Sequence, residues 1–474
     1  MLEINGTVQL ADIVKIACQN EHITISESTR NTISDAHERA GVLSTKIPTY
    51  GRTTGVGANR LTNVSEDDSE HGLRLLRSHA VDAGAPLEAP AVRAMLAVRL
   101  NQLCRAGSGI DPDILDALVT MLNDDALPSI LEYGAIGTGD LSALAGTALT
   151  MMGEREASRP FDAMTMWGND NALPFISSSA LTLGRACLVS DRLRKLYRAS
   201  TIIFALSFVG LRGNRSPLST AAAEASASPC VATIATRIRS LLGPSGESAR
   251  IQDPYGLRAF PVTMAPFIDA LSKLEAQIQA VANTAQENPL FTSSDVIHHA
   301  GFYQAALALD LDSLALALAQ STPLTLSRIR MMNEPDYTGQ SPFLATGRAG
   351  SSGLMVIEYV AAAAHAEIHA NSHPSTLTTV VLSRGTEEDA SFAPTGVSRL
   401  ERSVRPLRIL LGCELVSAIR LLRQRGVVLE DMASDLMRQA FEIGCRLSPE
   451  MSDRDLRPDL TLAEYLVGLL SDLD

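Results

Sequence analysis

The sequence predicts a mainly α-helical protein, a bundle of long helices preceded by a smaller loop-rich N-terminal region with minor β content. Three observations predict it. Apolar residues recur at three- and four-residue intervals along most of the 474 residues. Stretches that alternate apolar and polar residues are scarce. Glycine and proline gather in a few places, at 50–60, 105–111, 134–140, 211–217 and 243–257. Most of these loops fall in residues 1–178, which we read as an N-terminal domain. Residues 179–474 then form the long-helix bundle.

The helical segments follow in order. "AVRAMLAVRLNQLCRA" puts Val92, Met95, Leu96, Leu100 and Leu103 on one face. "DPDILDALVTMLN" offers Asp111 or Asp113 as an N-cap before an amphipathic helix. "SALTLGRACLVSDRLRKLYRASTIIFALSFVGLRG" reads as one very long helix. "AGFYQAALALDLDSLALALAQS" and "GLMVIEYVAAAAHAEIHA" are nearly apolar all round, which predicts a place inside a bundle or at a subunit interface. "LRILLGCELVSAIRLLRQRG" and "TLAEYLVGLLSDLD" continue the pattern. Short strands are predicted at "GTVQLADIV" and "PVTMA", and an Ala/Ser-rich loop at 220–236.

Composition narrows the function classes. A formal net charge of −13 argues against nucleic acid or an anionic membrane as the main partner, since both attract basic surfaces. The basic run "RLRKLYR" reads as the solvated face of a helix. The six cysteines have no CxxC spacing and read as reduced residues, neither a disulfide frame nor a zinc site. No signal peptide is visible, and "TIIFALSFVGL" is too short to span a bilayer. The expectation is a cytoplasmic protein.

Polar chemistry is confined to a few loops. "PTYGRTTGVGANR" carries Tyr50 among three glycines, a composition suited to a mobile lid whose phenol acts as acid or base, or to a turn with a packed Tyr. His79 ends a helical pattern, where a structural role is the ordinary one. In "IQDPYGLR", Gln252, Tyr255 and Arg258 share one side if the segment is helical, and Arg258 is fit to pair bidentately with a carboxylate or with a surface acid. Asn283, Gln286, Glu287 and Asn288 crowd before a proline. Glu387 and Glu388 are candidate acid–base groups in a turn. His365, His369 and His373 stand four apart, but the only nearby carboxylate, Glu367, points elsewhere and His373 precedes a proline; no metal site is expected.

Taken in order, these segments resemble the aromatic amino acid ammonia-lyase and aminomutase family, which includes histidine and phenylalanine ammonia-lyases. "YGRTTGVG" at 50–57 is similar to the family's "YGxxTGFG", and "SHAVDAG" at 78–84 to "SHAxGxG", with Asp82 replacing a glycine. "VRAMLAVRLNQLCRAGSG" at 92–109, "QDPYGLR" at 252–258 and "NTAQENPL" at 283–290 also match family patterns. The resemblance implies an ammonia-lyase-like helical homotetramer with active sites assembled from three subunits. It implies a small amino-acid-like substrate, with no nucleic acid or membrane partner. It makes Tyr50 the base for the β-proton and Arg258 the carboxylate anchor. Gln252, Tyr255 and Glu387 become further active-site groups, with Glu388 as a register alternative, and Phe302 becomes a lining residue. His79 takes the position of the residue that selects the substrate's ring.

The family's reagent is methylidene-imidazolone (MIO), made when an Ala-Ser-Gly loop cyclises and dehydrates. Here the loop reads "GAIGTGDLSALAG" at 134–146, one residue short and without Ala-Ser-Gly. Gly137, Thr138, Gly139 and Asp140 form this degenerate loop: either Gly137-Thr138-Gly139 replaces Ala-Ser-Gly with the deletion upstream, or the serine position is simply gone. Cyclisation needs an unhindered amide nitrogen and dehydration needs a β-hydroxyl, so Thr138 leaves an ethylidene ring conceivable and a normal MIO excluded. The family's "NGT" becomes Ser177-Ser178-Ser179, "HPGQ" becomes "SPCV" at 228–231, and "GNFHG" becomes "AGFYQ" at 300–304. Ser177 then stands in the substrate-binding asparagine's place. The expectation is a lyase-family enzyme with no normal cofactor. It works on a carboxylate-bearing, amino-acid-like molecule by elimination, isomerisation or cyclisation, in specialised metabolism. The alternatives are an ammonia-lyase or aminomutase with a Thr138-derived ring, and a non-catalytic binding protein of the same fold.

Overall fold

Helix α1, Ala89–Leu103, begins with Pro90 in its first turn, where the missing N–H costs nothing. The spacing predicts one apolar face, yet every residue from Val92 to Leu103 is buried. The reason is that its polar side chains are satisfied inside the protein. Arg93 donates to the carbonyls of Ile16 and Leu122, both at 2.9 Å, and the Asn101 amide donates to the Ala282 carbonyl at 2.8 Å. The computed structural model describes residues 1–473 except 66, 163, 165, 166 and 245.

Five more long helices and one short one follow: α2 Leu141–Met151, α3 Ala180–Gly210, α4 Phe260–Ala282, α5 Ala305–Asn333, α6 Ile357–Ala370 and α7 Ala393–Gln424. The chain divides into two compact units. The first comprises Met1–Ser190, Leu274–Leu311 and Ser375–Val397; the second comprises Asp191–Lys273, Asp312–Pro374 and Ser398–Asp474. In the first unit, α1 packs on the helix Leu10–Cys18 and α2 on the helix His71–His79. Gly184 of α3 lets two backbones meet: a Cβ there would lie 2.8 Å from the Ala94 carbonyl carbon. Among the described residues the β structure is three two-stranded pairs, all in this unit. Leu2–Glu3 runs parallel to Ile23–Thr24. Ala83–Pro86 and Leu290–Phe291 pair antiparallel with Leu131–Tyr133 and Val296–Ile297.

In the second unit, Phe204 stacks on Phe260 at 4.2 Å between centroids, and the Arg328 guanidinium lies 5.2 Å from each ring. Arg328 and Glu414 are both fully buried and doubly bonded, Nε to Oε1 at 2.6 Å and Nη2 to Oε2 at 2.7 Å. Ser207 Oγ donates to the same carboxylate at 2.8 Å.

Several local expectations are corrected. "GTVQLADIV" forms the end of a loop and the helix Leu10–Cys18, whose buried Ile13, Ile16 and Ala17 follow a helical period. "PVTMA" lies inside α4, where Phe260, Met264, Phe267, Leu271, Leu274 and Ile278 repeat at helical spacing. Residues 220–236 are helical, in Thr220–Ala225 and Pro229–Leu242, because Ser219 and Ser228 each cap a first turn through the side-chain oxygen. Residues 300–304 are a turn preceding α5. Within this chain α6 buries only the stripe Ile357, Ala361, Ala364 and Ile368. By length and composition the stretch Ala172–Gly210 is long and apolar enough to cross a membrane, contrary to the expectation from "TIIFALSFVGL". Its apolar window is entirely buried inside the protein, as a core helix is.

Replacing Arg328 with Met strands the Glu414 charge, and we expect a loss of about 3–5 kcal/mol in urea denaturation. Adding Glu414→Leu should recover much of that loss, since no unpaired charge then remains at this place.

Candidate functional site

The loop 134–140 is held from both sides by main-chain and hydroxyl contacts. Phe392 N–H donates to the Ile136 carbonyl at 2.8 Å and Ser391 Oγ to the Gly137 carbonyl at 3.0 Å. Gly137 and Gly139 adopt φ of +94° and +108°, conformations that L side chains rarely enter. A Cβ on Gly137 would lie 2.1 Å from Ser391 Oγ and 3.0 Å from Phe392 N, so an alanine there would have to displace the Ser391 hydroxyl and strain the backbone. Asp140 closes the loop. Its N–H donates to the Ser178 carbonyl at 2.7 Å, and its carboxylate accepts from Thr182 N–H at 2.7 Å and Thr182 Oγ1 at 2.8 Å. Burial pushes the Asp140 carboxyl up to about 6, against the Thr182 bonds and the Arg185 charge, which favour ionisation.

Thr138 points its hydroxyl at Glu387, Oγ1 to Oε2 at 3.4 Å. Glu387 is half-buried, whereas Glu388 is exposed. Tyr50 belongs to the same neighbourhood. Its phenol oxygen accepts from Gly57 N–H at 2.6 Å, and its own N–H donates to His298 Nε2 at 3.3 Å. Burial raises the phenol's pKa first, and the Glu387 charge raises it further; the Gly57 bond and Arg60 oppose both. Because Gly57 donates, the phenol proton is free for a partner, and the bond persists in the phenolate.

Behind this surface lies a buried polar network. Arg99, fully buried, donates from Nη1 to Glu287 Oε1 at 2.7 Å, from Nε to the Phe175 carbonyl at 2.9 Å, and from Nη2 to the Pro174 carbonyl. Ser178 Oγ donates to Gln102 Oε1 at 2.6 Å, and Gln102 Nε2 to Gln286 Oε1 at 3.0 Å. Ser177 Oγ accepts from Asn288 N–H at 3.0 Å, so this hydroxyl is engaged by the chain itself. Trp167 meets Phe175 edge-on, 5.4 Å between centroids.

The remaining predicted residues take varied places. His79 ends its helix with Nδ1 at 2.8 Å from the Leu75 carbonyl. Phe302 sits in the 300–304 turn, its carbonyl accepting from Ser179 Oγ at 3.3 Å. Its neighbour Tyr303 donates to Asp389 Oδ2 at 3.2 Å. Asp82 accepts from Leu131 N–H at 3.0 Å beside the strand pair. Gln252, Tyr255 and Arg258 lie in the second unit. The helix there covers only Tyr255–Arg258, because Pro254 stands at its N-cap, so Gln252 does not share its face. Arg258 stacks on the Tyr255 ring at 4.4 Å, and Arg328 Nη1 supports this turn at the Gly256 carbonyl, 3.0 Å away. His365 and His369 face Thr322 Oγ1 and the Ala319 carbonyl, at 2.8 and 3.1 Å, and His373 lies beyond the end of α6. Among the described residues no cluster of His, Cys, Asp or Glu has metal-holding geometry. Sequence reasoning passed over Ser391, Thr182, Arg99 and Gln102. The last two carried a signal, being polar residues inside an otherwise apolar helix.

The tyrosine loop, the acidic loop and the glycine-rich loop preceding α2 all lie in the first unit. A sequence model of the aromatic amino acid lyase family matches residues 8–443, and the chain belongs to that family. The probable histidine ammonia-lyase of Thermoplasma volcanium is 27% identical over 438 residues, covering 88% of each chain. The histidine ammonia-lyase of Stigmatella aurantiaca is 27% identical, covering 98% of this chain and 96% of its own. Among solved structures, the ergothioneine-degrading enzyme ergothionase of Treponema denticola shares the fold with a TM-score of 0.92 at 22% identity, covering all of both chains. The tyrosine aminomutase of Streptomyces globisporus has the same TM-score at 23% identity, covering 99% of this chain and 97% of its own.

Two predictions follow from the loop. Asp140 holds its proton more tightly folded than unfolded, so its contribution is full below about pH 4 and is lost as pH rises through about 6. The stability difference between the native chain and Asp140→Asn should therefore shift by about 2 kcal/mol across pH 4 to 7, read from denaturation midpoints. Gly137→Ala should lower stability by about 2 kcal/mol, part steric and part left-handed backbone. Removing the Ser391 hydroxyl in the same chain should return only part of the steric loss, since Phe392 N stays close.

Proposed function

We propose that this chain is a lyase of its family that works without methylidene-imidazolone on a carboxylate-bearing, amino-acid-like molecule. The observation that carries the reading is the loop itself. No serine stands between Gly137 and Asp140, and an alanine at 137 would crowd Ser391 and Phe392. The residues at this loop do not fit the group, so no step is routed through it.

The chain's own groups supply proton chemistry. Once its own proton has passed to solvent, Tyr50 as the phenolate removes a proton β to the leaving group, with its oxygen held by Gly57 N–H. Glu387 keeps the Thr138 hydroxyl oriented, and its charge raises the Tyr50 pKa, which makes the phenolate a stronger base once it is formed. Arg258, supplied by a neighbouring subunit of a homotetramer, anchors the substrate carboxylate through its planar fork. His79, Phe302, Gln252 and Tyr255 line the assembled site. Without an electrophile to activate it, an α-amino group is a poor leaving group. The substrate therefore carries a better one, or the reaction is an isomerisation or cyclisation. A fold shared with an ergothioneine-degrading enzyme and a tyrosine aminomutase accommodates that breadth.

A second reading is favoured by one feature: Thr138 keeps a β-hydroxyl and Gly139 an unhindered nitrogen, the two requirements for a ring. Intact mass separates the two. The encoded mass supports the first reading, and that mass less two waters overturns it. With a substrate in hand, Tyr50→Phe should lower kcat by about 10²–10⁴. Arg258→Ala should act chiefly by raising KM.

A further inference from the structure

The loops that carry Tyr50 and Glu387 are stitched together at two neighbouring side chains, the first of them a serine. Ser383 Oγ accepts from Ala58 N–H at 3.0 Å. It also occupies the space beside Gly57, where a Cβ would come within 2.8 Å of it. Gly57 is the residue whose N–H holds the Tyr50 phenol. A second stitch lies next to it: Arg60 Nη1 donates to Thr386 Oγ1 at 2.8 Å, one residue before Glu387. The acidic loop is closed on itself by Leu382 N–H donating to the Glu387 carbonyl at 2.8 Å.

The backbone of that loop is left-handed for three residues running, with φ of +51° at Ser383, +55° at Arg384 and +80° at Gly385. Such a run is disfavoured for serine and arginine and persists only where contacts hold it. The Ser383–Ala58 bond is placed to hold it, and it reaches the tyrosine loop to do so.

We propose that Ser383 is a positioning residue that locks the tyrosine loop to the acidic loop, so that the phenol and the carboxylate are presented and withdrawn as one body. The inference rests on the reading of Tyr50 and Glu387 as working groups, but the coupling is a property of the chain alone and is tested without substrate.

Hydrogen–deuterium exchange by mass spectrometry on the full chain follows peptides covering residues 50–63 and 382–390. Ser383→Ala should accelerate exchange in both segments by about fivefold, the effect of one lost hydrogen bond, and by the same factor in each. Ser383→Asn keeps an acceptor oxygen and tolerates positive φ, so it should restore both segments. Arg384→Gly relieves strain without touching either stitch and should leave both at or below native exchange. Loosening of 382–390 with 50–63 unchanged overturns the proposal, as does failure of Ser383→Asn to restore the tyrosine loop. The outcomes are separable from the intact mass. A dehydrated ring would overturn the MIO-free reading and leave the coupling standing, whereas uncoupled exchange would do the reverse.

Discussion

Arg99 carries its charge where no water reaches, and the loops around it are arranged by that constraint. A buried guanidinium needs a counter-charge and partners for its remaining donors. Glu287 supplies the first, and the carbonyls of Pro174 and Phe175 supply the second. This fixes the Ser177–Ser179 turn. The Ser178 carbonyl then receives Asp140 N–H, and the Asp140 carboxylate receives Thr182 at the start of α3. The position of Thr138 is thus inherited, bond by bond, from a charge on α1. Exposed loops with this much glycine would otherwise sample many conformations.

Several departures from the family pattern are built into the structure. Asp82, in place of a glycine, caps Leu131 N–H beside the strand pair. Ser228 caps the helix Pro229–Leu242 through Val231 N–H. Tyr303 bonds to Asp389, two residues past Glu387. Gly137 fits a space already taken by Ser391. Each replacement has a partner, so the altered loop belongs to a consistent set of contacts.

Much of the helix content was legible, because long segments such as α3 and α5 repeat apolar residues over many turns. Short segments were not. "PVTMA" is five residues, too few to separate a strand from a helix turn, and its period emerges only when Phe260 to Ile278 are read together. The 220–236 segment hid two serine caps inside a composition that suggested a loop. At α1 the one-sided face was misleading, because sequence cannot show that buried arginines will find carbonyls 29 or 77 residues away. The site was readable in its residue types, Tyr50, Thr138 and Glu387. Its joins were not: Ser383 with Ala58 and Ser391 with Gly137 link positions 325 and 254 residues apart, and only folding brings them together.

The chain holds one tryptophan, and its ring stands against Phe175, whose carbonyl grips Arg99. Its emission under red-edge excitation is therefore free of overlapping indoles. The molecule carries a native fluorophore beside the very turn on which its central loop leans, and light alone can follow that turn without any label.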